Sequence, residues 1–249
     1  MSSADDDGAL TDSAGTPWAG RHFEHNASSS DDGSAPAALL ATLDAFRAGM
    51  AGEADVVAAI RSSRLLVPLV ARLDEAGRND HGHTIDKSAE LAIVTVTAAD
   101  GRAVLPAFSS VDAMRRWNPA ARPVPADAVR VALAAASENT DLVVLDPGSD
   151  TEFVIRRPAV WAIGQSRDWI PSYLDPEVRA AFEGIRDPRV LSVGLSAGDA
   201  GGAELMVLLE LVPGLDRAAL DDVLAGLQQA WSANTIIADR VDSLGVKLS

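Results

Sequence analysis

The sequence contains no cysteine. Disulfides, thiolate nucleophiles, iron–sulfur clusters and cysteine-based zinc sites are thereby excluded. Aromatic residues amount to only 4%, so a core has to be built from Leu, Val, Ile and Ala. Lysine is nearly absent: Lys87 and Lys247 are the only two, and the remaining basic residues are arginine. There is no run of about 18 apolar residues, the length a membrane-spanning helix needs. The opening MSSADDDGAL is acidic where a secretory leader is basic, so the chain is expected to be cytoplasmic, with no membrane partner. The net charge of −15 repels phosphate backbones. Basic residues gather only in the pairs Arg115-Arg116 and Arg156-Arg157, and nucleic acid is not an expected partner.

What is present supports a folded α+β protein. The chain has 249 residues, 47% of them hydrophobic, enough for one or two domains. Residues 1–33 stand apart. They are rich in Ser, Asp and Gly and bury too little to offset the entropy of ordering, so a disordered acidic tail is expected. Within it Trp18 and Phe23 could dock on the body or on a partner.

The stretch 90–110, ELAIVTVTAADGRAVLPAFSS, predicts two strands joined at Asp100-Gly101 and running into a helix. Asp-Gly supplies the positive φ of a tight hairpin. Both faces of the first strand are apolar, which predicts a central strand. Pro106 argues that the second is short or lies at an edge. Ser109 or Ser110 can cap the helix.

Before this stretch, helices are expected over 35–47, capped by Ser34, and 53–62, then a strand over 64–73. After it the spacing predicts a helix over 111–117, a proline-rich connector over 119–125, and a helix over 126–137 with Val129, Leu133 and Ala136 buried. A strand over 140–145, a turn at Asp146-Pro147-Gly148 and a returning strand over 152–156 follow. Residues 165–175 read as a joint, with Trp169 and Tyr173 packed between two halves. Beyond it come a helix opened by Asp175-Pro176, two strands joined by a glycine-rich turn, a helix over 217–230 and a last strand over 235–241. The expected architecture is therefore two mixed α/β-sandwich domains in tandem, 34–168 and 175–249, the second with the order α-β-β-α-β.

Lys87-Ser88-Ala89-Glu90-Leu91, then Leu105-Pro106-Ala107-Phe108-Ser109-Ser110, then Leu145-Asp146-Pro147-Gly148 resemble the N-terminal domain of the SseB family, the enhanced-serine-sensitivity proteins. Residues 179–241, with Glu204-Leu205-Met206-Val207-Leu208-Leu209 and Val241-Asp242, are similar to that family's C-terminal domain. The arginine-rich, alanine-rich composition fits an actinobacterial-type member. Asp146 stands where many members are expected to carry Asn. The resemblance implies a bacterial protein without a catalytic residue to transfer.

No reactive set emerges from the residues. Ser109-Ser110 lacks the Gly-x-Ser-x-Gly frame and a downstream histidine, since the last histidine is His83. Gly198-Asp199-Ala200-Gly201-Gly202 lacks the Gly-Lys-Ser/Thr of a phosphate loop. Asp80, His81, His83 and Asp86 offer N and O ligands, but His-x-His is not the helical His-x3-His spacing and the two histidines have no third partner in sequence. No metal or cofactor is expected. Two functions remain. The first is a non-enzymatic binding or regulatory protein with a protein or peptide partner, using Trp18, Phe23 and Trp117. The second is a protein that binds, or acts on, an anionic metabolite or amino acid in a cleft of Arg156, Arg157 and Asp146.

Overall fold

The computed structural model describes residues 31–72, 90–93, 95–97, 101–138, 140, 142–198 and 202–248. Residues 1–30 of the acidic tail, with Trp18 and Phe23, and the segment with Asp80, His81, His83 and Asp86 lie outside them.

Two helices open the described chain, α1 (Ala37–Arg47) and α2 (Glu53–Arg61). Leu39, Leu43, Val56, Val57 and Ile60 are buried, as their helical spacing requires. The N-cap of α1 is Pro36 rather than Ser34, and no side chain caps it. Strand β1 (Arg64–Arg72) follows and lies between β2 (Glu90–Ile93) and β5 (Arg122–Asp127).

The 90–110 stretch differs from its expected form in its first strand. It makes a hairpin, but its first strand is broken in two. The first piece, β2, pairs antiparallel with β1. The second, β3 (Val96–Thr97), pairs with β4 (Ala103–Ala107). Each piece is an edge strand of its sheet among the described residues, not a central one. Gly101, at φ +86°, takes the turn conformation expected of it.

β4 then lies beside β6 (Leu142–Leu145), in parallel, and β6 beside β7 (Phe153–Ile155). Pro106 is thus in a short strand, one of the two expected alternatives, though an inner one, and hydrogen-bond direction explains why it is tolerated. The Ala107 carbonyl accepts from the Asp146 N–H on the β6 side, whereas Phe108 exchanges both its bonds with Leu66 of β1. Pro106 has the parity of Phe108 and turns its nitrogen away from β6, past the end of β3. The expected proline-rich connector is strand β5. Val67 and Val124 are partners in register, and the alternation sends the nitrogens of Pro123 and Pro125 to the outer edge, where a missing donor discourages further pairing.

Helix α3 (Val111–Trp117) covers one side of this assembly. Leu66 and Phe108 pack beneath it against its own Ala113 and Met114, with half-buried Trp117 against Phe108 at 5.3 Å between ring centroids. The larger core lies on the other side, beneath α1, α2, α4 (Ala128–Ser137) and α5 (Arg157–Gly164). In α4 the buried residues are Ala128, Val131, Ala132 and Ala135, while Leu133 is 56% exposed. Apolar residues surround this helix, so its sequence does not reveal which stripe faces inward.

A 3-10 turn (Ser172–Leu174) leads to α6 (Pro176–Gly184), capped by Asp175 through the N–H groups of Glu177 and Val178. Strands β8 (Val190–Ala197) and β9 (Leu205–Leu211) form a hairpin closing at Gly198, whose N–H donates to the Glu204 carbonyl. A Cβ there would sit 1.8 Å from the Ala203 oxygen, so only glycine fits. Helix α7 (Arg217–Ala233) starts at the Asp216 cap. The expected final strand over 235–241 is instead helix α8 (Thr235–Arg240). Thr235, Ile236 and Ile237 favour a strand, but the Asn234 side chain accepts from the N–H groups of Ile236 and Ile237 and starts a helix. The last strand is β10 (Leu244–Leu248), parallel to β9. The order α-β-β-α-β is kept, with α8 inserted. Trp169 packs on the larger core, whereas Tyr173 packs on a separate core beneath α6 and α7. No helix among the described residues is long and apolar enough to cross a membrane.

Candidate functional site

An extended hollow among the described residues follows from the way β10 ends its sheet. The sheet order is β10-β9-β8. Leu244, Val246 and Leu248 are in register with Leu205, Val207 and Leu209 of β9. All three β9 residues are fully buried beneath α6 and α7. Alternation places the three β10 side chains on that same core-facing side. Yet Val246 is 40% and Leu248 44% exposed, because the helical cover runs out over this strand.

The result is a groove of about 690 Å³ between α7, α8 and β10. Leu224, Gln228 and Trp231 line it from α7, Ile237 and Ala238 from α8, and Leu244 and Val246 from β10. The backbone of β10 is also available. Ser243 gives its carbonyl to the Leu205 N–H, so the alternate residues Leu244, Val246 and Leu248 direct their N–H and C=O groups to the outer edge. Among the described residues no strand pairs with that edge.

One end of the groove is polar: Arg157 lines it, and Arg156, outside the lining, reaches its Asp242. The two arginines stand where β7 gives way to α5, with Pro158 in the first turn. Arg156 donates to Asp242 at 3.4 Å and to the Gly202 carbonyl at 3.2 Å. Arg102 reaches the same Asp242 oxygen at 2.9 Å, and the Asp242 side chain is only 2% exposed. Arg157 makes no ion pair with a carboxylate of the described residues. Its Nη2 donates to the carbonyls of Ala238 and Val241, both at 2.9 Å, at the C-terminal end of α8. Its guanidinium lies 5.0 Å from the Trp161 ring centroid. These contacts hold it still beside the groove.

Behind this end, Glu204 accepts from the N–H groups of Ser172 and Asp242. Glu53, at the start of α2, has its pKa raised by burial and then by the charge of Glu204, with Arg156 acting in the opposite sense. Tyr173 is raised by burial and by the same two carboxylates. The Ser172 hydroxyl is buried without a hydrogen-bond partner among the described residues.

Asp146 has different partners from the two arginines. It sits at the end of β6 with φ +48°. It accepts from the Ser109 N–H and hydroxyl, and from the Thr151 hydroxyl at 2.8 Å. Ser110, not Ser109, caps α3 through the Ala113 N–H. Trp117 is engaged with Phe108. The sequence pointed to the arginines and missed the groove, since exposed apolar residues on one strand have no chemical signature; only the alternation LGVKL hints at it.

Residues 39–162, spanning most of α1 to α5, match the family model of the SseB protein N-terminal domain, and this part of the chain is similar to that domain. No curated protein and no solved structure matches the chain.

Proposed function

We propose that this is a non-enzymatic binding or regulatory protein that holds an extended segment of a partner protein along β10. The observation that carries the reading is the combination of a strand edge that no strand of the described residues pairs with and two exposed apolar side chains on the core-facing side. A segment added to that edge gains main-chain hydrogen bonds, and its alternate side chains enter the groove. The groove volume of about 690 Å³ lies within the usual range for ligand sites. On this reading residues 175–249 form the second unit of a tandem pair, of the SseB C-terminal type, and carry the partner site.

The test is selection of ten-residue peptides from a displayed library against the full chain, followed by hydrogen exchange. Selected peptides are expected to slow exchange at the Val246 and Leu248 amides. Val246→Lys is expected to abolish binding without lowering the Tm, because that side chain is already exposed. Protection elsewhere, or undiminished binding to the variant, refutes the proposal.

A second reading is a small anionic metabolite or amino acid at Arg156 and Arg157. It rests on Arg157 alone, since Arg156 faces Asp242. A thermal-shift panel of amino acids, nucleotides and phosphates, with no member raising the Tm, would dispose of it.

A further inference from the structure

We infer that the segment held in the groove carries an acidic side chain that pairs with Arg157. The inference rests on the reading of the groove as a peptide site and adds the chemistry of its occupant.

The argument begins with charge accounting at the groove. Of the lining residues only Arg157 and Asp242 are charged. Asp242 is already met by Arg102 and Arg156. Arg157 is met only by neutral carbonyls and a ring. The lining therefore presents one positive charge without a carboxylate, in a chain whose net charge is −15. At this range local charge decides. The Debye length at physiological salt is about 8 Å, so distant acids are screened while a contact pair is not.

The second step is geometry. Nη2 is occupied by the Ala238 and Val241 carbonyls. Nε and Nη1 still carry donors, and the fork they belong to is already fixed in direction. A guanidinium held in place loses little freedom when a carboxylate arrives, which favours an arginine as the anchor. The residue is half-buried, so the pair would be partly shielded from water. The apolar wall of Leu224, Trp231, Leu244 and Val246 runs on from it. The matching segment is acidic near one end and apolar at alternate positions beyond.

The probe is a pair of synthetic ten-residue peptide pools with alternating valine and threonine. One pool carries a single glutamate at a scanned position, the other glutamine at the same position. Binding to the full chain is read by fluorescence anisotropy, with hydrogen exchange at β10. The best glutamate peptide is expected to bind about fivefold more tightly than its glutamine counterpart, as a partly exposed, preorganised ion pair allows. Raising the salt should erase that preference. In Arg157→Gln the ratio of glutamate-peptide to glutamine-peptide affinity should fall to one, whatever the affinity of the glutamine peptide; Arg157→Lys should keep part of the preference. The salt series needs no variant and stands if Arg157→Gln fails to fold. Equal binding of the two pools with β10 still protected overturns this inference and leaves the groove reading intact. Absence of binding by either pool overturns both.

Discussion

The backbone N–H and the hydroxyl of Ser109 both donate to Asp146, at 2.7 and 2.6 Å. The two residues sit at the carboxyl ends of β4 and β6, neighbours in parallel, and the contact ties those ends together. Asp146 is 1% exposed and pairs with no cation among the described residues. Three donors hold the carboxylate in place of a counter-ion.

Removing that carboxylate should be costly. Asp146→Ala strands the Ser109 N–H and places a Cβ-bearing residue with no local hydrogen bond at positive φ, so a loss of about 3 kcal/mol is expected. Asp146→Asn keeps an acceptor for the N–H, tolerates the left-handed conformation, and lets the Ser109 and Thr151 hydroxyls rotate into acceptors; about 1 kcal/mol is expected. Urea unfolding of both variants decides, and equal losses would contradict the staple.

Asp242 joins Arg102 and Arg156, residues more than eighty positions earlier in the chain. The acid is buried but the guanidiniums are 31% and 20% exposed, so the pairs are partly screened. A double-mutant cycle of Arg102→Ala and Asp242→Ala is expected to yield a coupling of about 1 kcal/mol. Four chemical denaturation curves measure it, and additive losses would show that the pair contributes nothing.

Glu53 supplies a pH dependence with a definite sign. Its folded-state pKa lies above the ordinary carboxyl value because of burial and Glu204. The folded protein therefore holds that proton more tightly than the unfolded chain. Stability from this group is full below the unfolded pKa and declines as pH rises through the raised one. Glu53→Gln removes the decline, so the Tm of the variant minus that of the wild type should increase from pH 4 to pH 8. Thermal melts across that range check it; a flat or falling difference would refute the assigned cause.

Much of the fold was legible because local chemistry and tertiary context agreed. Asp175-Pro176 and Asp216 mark helix starts that the structure keeps, and Ser110 caps α3 as one of two expected choices. The misses fall where they disagreed. The run Thr235-Ile236-Ile237 reads as strand by side-chain shape, but one Asn cap turned it into α8. In α4, alanines on every side hid the inward stripe, and Leu133 came to face outward. At the site, Arg156 and Arg157 were visible as a pair of charges beside a turn. Their partners were not, because Asp242, Ala238 and Val241 are far away in sequence.

The amino-acid order alone determined the absence of thiol chemistry, the acidic surface, the helix caps and the strand alternation, since each is a property of single residues or near neighbours. Only the tertiary structure decided that β10 ends its sheet with its apolar face half covered, that Asp242 occupies Arg156, and that Arg157 is left facing the groove. Those outcomes depend on which distant segments meet, and on where the helices stop short of covering the last strand.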